Sequence, residues 1–559
     1  MTHPTANQIE AELRKDFRAR AREYGQDEDR NDPVISLLFR TFADQIEGLY
    51  KGLDSAQLSL LDELIGAVEM EPRTARPAQS VVRFRALQPT VVDPGLSLVG
   101  EAESGERLTF LTDAGLTVSR ARIAAGLTYQ DGSLQLLSGI DLPEDVAALR
   151  PNFGAVRANL GSQPAIYLAL DNLPPSHVGM QGFFFDLNPR CETLHRTLPG
   201  ATWCLAGENG EFGATGLMRS RKGNAGARML QWLIPPGDGA GETKESAGPS
   251  LPDGFYAGRV FRLPPVPPGR RGVTGAPASI GPALEKVFTN AARVFFSTPR
   301  AWIRISMPPG VENLQTSINT IAANSVSCSN LECVNQFHEF KRQGLSIPVS
   351  VETGGKGCFV AIRSISDKRN REYLPRFQAD PDRTLGRYSL HGGRLDADPA
   401  LDAAGEPEDQ AALRVWVTNG KIGNKVSANK IVTLANPHVA PGLQVTGLTG
   451  AAGGTNGEEL PDVKSRFAAK LRSRDRIVTE ADLLTLAQDF DQRITGVAVE
   501  QGVELGETGL KTVQTVTLAM SRGSFSDGEE VRVLLGDLQR FLQDRSMAGV
   551  AISLKENWS

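Results

Sequence analysis

Apolar residues fall four apart at Ile9, Leu13 and Phe17. They recur after Asp32 and Pro33 at Ile35, Leu38, Phe39, Phe42, Ile46, Leu49 and Leu53. A spacing near 3.6 residues with polar side chains between marks one face of an amphipathic helix. Asp32 followed by Pro33 is a favourable cap and first-turn pair for the second of these helices. Leu58, Leu61, Leu64 and Ile65 extend the pattern, so residues 5–68 predict two or three helices inside an N-terminal arm spanning 1–75. An apolar stripe on such an arm needs a covering surface, and the expectation is that another chain supplies it.

From residue 80 the period drops to two. In "SVVRFRAL" (Ser80–Leu87), Val82, Phe84 and Ala86 alternate with Arg83 and Arg85, as in a half-buried strand. "VVDPGLSLVGEAESGERLTFLTDAGLTVSRARI" continues with short strands cut by Gly, Pro and Asp, and "AIYLAL" and "GFFFDL" read as central strands. The run from Ile234 to Gly254 is rich in Gly, Pro and Ser and predicts a surface loop. "AWIRISMP", "KGCFVAIRSI" and "LRVWVTNG" resume the strand pattern. These readings predict β-rich domains over 76–235 and 236–400, then a β segment and linker over 401–453. The glycine-rich "TGAAGGTNG" (Thr449–Gly457) marks a domain boundary.

Helical spacing returns at Val463, Phe467 and Leu471. Thr479 and Asp482 form a capping-box pattern ahead of Leu483, Ala487 and Phe490. Strands follow near 494–500 and 511–520. A second capping pattern at Ser526–Glu529 opens a stripe of Val531, Leu534, Leu535, Leu538, Phe541 and Leu542, and Gly549 precedes a last strand, "VAISL". The order α-α-β-β-α-β predicts a small C-terminal α/β sandwich over 454–559. The fold class is therefore multidomain α+β: amphipathic helices first, β-rich domains in the middle, the sandwich last.

Composition narrows the function classes. A chain of 559 residues exceeds one ordinary core and divides into about three or four domains. With 65 acidic and 60 basic residues, the net charge of −5 gives no global field toward nucleic acid or anionic lipid. The basic runs Arg14–Glu23 and Lys470–Arg476 lie on helical patterns without interleaved aromatics and read as solvated faces. No 18 apolar residues run together and the N-terminus lacks a leader pattern, so synthesis in a cytosol without membrane insertion is expected. Five cysteines, irregularly spaced, argue against a disulfide framework.

Candidate chemistry is sparse. H-E-x-x-H, G-x-S-x-G and G-x-x-x-x-G-K-[ST] do not occur. The one metal-like grouping is Cys328, Cys333 and His338, with Cys358 as a possible fourth ligand. Buried cysteines in a strand and turn explain the same residues, so neither metal nor cofactor is expected. Paired carboxylates for glycoside cleavage cannot be placed from sequence, which keeps a carbohydrate-binding or carbohydrate-cleaving β protein as the alternative.

The segment Gly420–Leu471, "GKIGNKVSANKIVTLANPHVAPGLQVTGLTGAAGGTNGEELPDVKSRFAAKL", resembles the hallmark of baseplate J-like proteins of contractile phage tails. Gly423, Asn424, Pro441, Gly442, Gly453, Gly454, Thr455, Glu458 and Arg466 stand at the corresponding places. "PGLSL" and "SGERLTFLTDAGLTV" (Ser104–Val118) resemble a segment shared by those proteins and TssF, a type VI secretion wedge subunit; "NSVSCSNLECVNQF" (Asn324–Phe337) and the early helices resemble TssF. The resemblance implies a structural, non-enzymatic wedge component of a contractile injection system, made in the cytoplasm and then built into a particle. It implies a second wedge protein bound through the N-terminal helices, copies of the chain in neighbouring wedges, and sheath and hub or spike proteins nearby. The interface residues expected on this reading are Ile35, Leu38, Phe39, Phe42, Ile46 and Leu49 in the arm, and Glu480, Asp482, Arg532 and Arg540 in the C-terminal module.

Overall fold

Among the described residues strands predominate over helices, and the two largest sheets join strands that are distant in the chain. The structure is a computed structural model. It describes residues 6–23, 37–46, 74–137, 155–173, 180–188, 191–222, 228–233, 255–267, 270, 276–277, 279–282, 297–340, 345–348, 357–376, 385–391, 394–401, 405–458, 476–477, 479–491, 493–506, 509–520, 528–546 and 550–558. The chain divides into two units: Met1–Pro72 with Phe340–Val349 and Leu374–Asp409, and Arg73–Glu339 with Ser350–Tyr373 and Gln410–Ser559.

In the first unit, helix α1 (Ala6–Glu23) and a helix over 37–46 (α2) carry the predicted N-terminal pattern. The same unit holds a four-stranded sheet in the order Leu345–Pro348, Arg394–Asp398, Arg387–His391, Leu374–Pro375. Leu345, Leu395 and Ala397 are buried there.

In the second unit a six-stranded antiparallel sheet has the order Ile431–Leu434, Ser97–Glu101, Arg107–Thr112, Ser325–Ser329, Gln79–Arg85, Gln444–Gly447. Its strands come from stretches that the sequence reading distributed over three segments. Strand Gln79–Arg85 explains how this is stabilised. Val82 and Phe84 join one core with Leu98, Phe110, Val326 and Val445, while Val81 on the opposite face packs with Phe184, Tyr256 and Val260. A strand buried on both faces needs partners on both sides, and only distant segments supply them.

An eleven-stranded sheet runs Ile318–Ala323, Gln181–Leu187, Val260–Leu263, Arg228–Trp232, Leu217–Lys222, Thr202–Leu205, Ala301–Ser306, Ala165–Asp171, Arg122–Gln130, Ser133–Leu136, Val156–Arg157. "AIYLAL" and "GFFFDL" are buried strands within it, as their unbroken apolar runs predict. Phe185, Trp203 and Phe261 meet with ring centroids 5.1–5.9 Å apart at its core. Such pairs add about 0.5–1.5 kcal/mol each beyond burial. A three-stranded antiparallel sheet is formed by Glu332–Glu339, Gln410–Thr418 and Cys358–Ser366.

The C-terminal module places helices α5 (Glu480–Phe490) and α6 (Gly528–Arg545) on a sheet ordered Ile494–Gly506, Gly509–Met520, Val550–Trp558. The first pair is antiparallel and the second parallel, because α6 carries the chain back before the last strand. Leu483, Leu486, Ala487, Val531, Leu534, Leu538 and Leu542 form its core with Val516, Leu518 and Ile552. The predicted helix at Val463, Phe467 and Leu471 lies outside the described residues. Shorter helices α3 (Glu192–Thr197) and α4 (Leu314–Ser317) sit between strands of the eleven-stranded sheet.

Candidate functional site

The N-terminal pair closes on itself through small and medium side chains. Ala6, Ile9 and Ala43 are buried, with Leu13 and Ile46 packed against them. Phe17 and Phe39 meet edge to face at 5.5 Å. Glu10 bonds Arg14 at 2.9 Å and lies 3.5 Å from Arg40, and Arg14 holds its carboxyl below the usual carboxylate range. Of the six residues expected at this interface, Phe39 and Ile46 turn toward α1, and Ile35 and Leu49 lie outside the described residues. Leu38 and Phe42 face outward at 52% and 55% exposure, together with Leu37 at 68%. Leu38 and Phe42, one helical turn apart, form a continuous apolar patch.

In the C-terminal module, Glu480, Arg532 and Arg540 are exposed. Asp482, expected at an interface, is buried at 8% exposure, and its carboxylate accepts from both the N–H and the hydroxyl of Thr479 at 2.9 Å. Thr479 Oγ1 in turn accepts from the Asp482 N–H at 3.2 Å. The capping box therefore occupies a carboxylate that sequence analysis placed toward solvent. Arg540 pairs with Asp537 on its own helix. Arg532 and Arg540, eight residues apart on α6, share a face. Strand Ile494–Gly506 forms one edge of the sheet, and Val503 near its end is exposed. The module is tied to the preceding domain by Arg196, which bonds Glu556 at 2.6 Å and stacks over Trp558.

The residues that carry the family resemblance converge at a third place. Arg76 and Thr455 exchange backbone hydrogen bonds at 3.0 Å, and Gln79 and Ala452 do so at 2.8 Å. Asn424 Nδ2 donates to Gly454 O and Asn424 Oδ1 accepts from Gly454 N–H, both at 2.8 Å. A Cβ on Gly454 would lie 2.5 Å from Gly420 O, and one on Gly423 would lie 2.7 Å from Ala78 Cβ, so both positions require glycine for close approach. Pro441 and Gly442 hold the two middle positions of a tight turn closed by Leu443 N–H to Ala440 O at 3.2 Å. The run Thr449–Gly457 is thus stitched to the start of the unit. Glycine here permits close contact between segments.

Asn330, at 1% exposure, is the centre of this clasp and was not singled out from sequence, although the resembling segment "NSVSCSNLECVNQF" contains it. Its Nδ2 donates to Thr109 O and Asn419 Oδ1, and its Oδ1 accepts from Asn419 N–H and the Thr418 hydroxyl, at 2.9–3.1 Å. All four hydrogen-bonding positions of the amide are filled. Beneath the clasp, Asp113 accepts from Ser329 Oγ at 2.6 Å and Gln79 Nε2 at 2.7 Å, while Gln79 Oε1 accepts from Tyr256 N–H at 3.1 Å. Burial pushes the Asp113 carboxyl up to about 6.

The metal-like grouping is dispersed. Cys328 lies in the core of the six-stranded sheet, whereas Cys333 and Cys358 pack beside Trp416 in a separate cluster. Cys333 and His338 are five apart in one strand and so point to opposite faces. Among the described residues no group of three or more His, Cys, Asp or Glu side chains could hold a metal ion, and no helix is long and apolar enough to cross a membrane.

No protein-family model matches the chain, nor does a curated protein sequence. Among solved structures it is similar to a chain of the type VI secretion system TssK-TssF-TssG baseplate subcomplex, at 13% identity and a TM-score of 0.40 over 93% of this chain and 96% of that one. It is also similar to a chain of the baseplate complex from the type VI secretion system, at 15% identity and a TM-score of 0.37 over 99% and 96% of the two chains. A chain of the anti-feeding prophage baseplate matches at 10% identity and a TM-score of 0.29 over 97% of this chain and 70% of that one.

Proposed function

We propose that this chain is a structural wedge subunit of the baseplate of a contractile injection machine, binding a second wedge protein through its N-terminal helices. The observation that carries this reading is the outward patch of Leu37, Leu38 and Phe42 on α2, beside a helix pair already closed by Ile9, Ala43 and their neighbours. Burying each of these large side chains against a partner contributes roughly 1.5–3 kcal/mol. The sequence resemblance in the clasp supports the same assignment. The clasp's own residues are turned inward and build the unit, which suits a scaffold component without turnover.

The C-terminal module is the connector to neighbouring wedges on this proposal. Among the described residues Ile494–Gly506 is the edge strand of its sheet, which supports it, since an edge strand offers unpaired backbone groups to another chain, and Glu480, Arg532 and Arg540 supply a charged rim.

The test is co-purification with the second wedge protein of the same machine. Phe39 and Ile46 hold the helix pair together, so the informative change is Leu38→Asp with Phe42→Asp, which leaves the internal contacts in place. Binding should be lost while the melting temperature of the free chain is kept. Undiminished co-purification would overturn the proposal.

A further inference from the structure

An arginine-rich cleft lies where the chain passes from one large sheet to the other. The cleft, of about 440 Å³, is lined by Arg83–Ala86, Ser119–Ile123 and Ile321–Asn324. That volume is within the range of binding pockets, roughly 300–1,000 Å³. Four of its lining residues are arginines, Arg83, Arg85, Arg120 and Arg122, and none is a carboxylate.

The scaffold of the cleft is rigid. Asn324 adopts a left-handed backbone, φ 55°, and its Nδ2 donates to Ser119 O at 2.8 Å and Ala121 O at 3.1 Å. Its own carbonyl accepts from Phe84 N–H at 2.9 Å. One residue, through its side chain and its backbone carbonyl, therefore ties all three walls together. Arg85 and Arg120 are exposed. Arg120 donates through Nε to Leu87 O at 2.9 Å, which orients its guanidinium. Arg122 reaches Asp171 only at 3.4 Å.

The third wall has a separate property. Among the described residues Ile318–Ala323 ends the eleven-stranded sheet beside Gln181–Leu187, and Ile321 and Ala322 are buried there, so this wall closes the cleft instead of lying open to solvent. Arginine forks recognise carboxylates in two-point contacts.

We propose that this cleft binds an extended acidic segment of a partner protein, with its carboxylates on Arg85, Arg120 and Arg122. The site is distinct from the helix patch and the C-terminal edge, so it stands or falls independently of them.

The test uses the full chain and a short fluorescein-labelled peptide of alternating glutamate and valine, followed by fluorescence anisotropy at low salt. Saturable binding is expected, weakening by roughly tenfold or more in Arg85→Glu with Arg120→Glu. A peptide with glutamine for glutamate should show the same loss, and Arg540→Glu on α6 should bind as the parent does. Arg120→Gln, a milder change at an exposed position, should weaken binding severalfold and guards against misfolding of the double variant, which circular dichroism checks. Absence of saturable binding, equal affinity in the double variant, or an equal loss in Arg540→Glu would each overturn the proposal. Displacement by inorganic phosphate at concentrations equal to those of competing unlabelled peptide would overturn it in favour of a small-anion site.

Discussion

The clasp and the N-terminal helix pair are the two regions that the sequence marks most strongly, and they use their marked residues in opposite directions. In the clasp, Gly423, Asn424 and Gly454 are committed to the interior, with hydrogen bonds of 2.8 Å and glycine contacts too close for a Cβ. In the helix pair, Leu37, Leu38 and Phe42 are left on the outside of a small internal contact. A distinctive motif therefore builds the scaffold, whereas an ordinary amphipathic stripe carries the surface available to a partner. The lesson is that a pattern's specificity and its exposure are separate properties.

The comparison can be broken most forcefully in the clasp. Gly454→Val would drive a side chain into Gly420 O, Ala78 and Asn424. Overpacking of this kind costs typically 1–3 kcal/mol and occasionally more, and contact with backbone puts it at the upper end. Chemical denaturation should show a fall of about 3 kcal/mol for the unit; a loss under about 0.5 kcal/mol would mean that the clasp does not constrain it.

Asp113 gives an effect of similar size that depends on pH. Its folded value of about 6 exceeds the ordinary 3.8, so the folded chain holds the proton more tightly than the unfolded chain does. The stability linked to this group is present in full below about 3.8 and is lost as pH rises through about 6, a span of about 3 kcal/mol. Asp113→Asn cannot titrate and should lack that slope in melting curves recorded across this window. Parallel curves for parent and variant would remove Asp113 from the account.

A smaller effect sharpens the contrast with a region whose helices are fully used. Thr479→Ala removes the cap of α5 and should cost the C-terminal module ~1 kcal/mol, read from its thermal transition. An unchanged transition would mean that the buried Asp482 caps the helix without Thr479.

The smallest effect belongs to the helix pair. Leu38→Ser with Phe42→Ser should leave stability within about 0.5 kcal/mol of the parent, since exposed positions contribute little to the free chain. A larger loss would show that the chain itself covers this patch and would align the pair with the clasp.

Features set by neighbouring residues were legible from the sequence. The capping box at Thr479 and Asp482, the helical stripe from Val531 to Leu542 and the alternation around Phe84 all occur where the pattern places them. Each rests on interactions spanning a few residues, so composition and period determine it. Tertiary structure alone decided which strands share a sheet, because Gln79–Arg85 is flanked by Ser325–Ser329 and Gln444–Gly447, hundreds of residues away. It also decided that Asp113 is buried, that Asp482 faces inward, and that Arg85, Arg120 and Arg122 border one cleft. The physical reason is range. Helical and strand periodicity follows from local backbone geometry, whereas burial and charge convergence depend on which distant surfaces meet, and many pairings are compatible with the same local pattern.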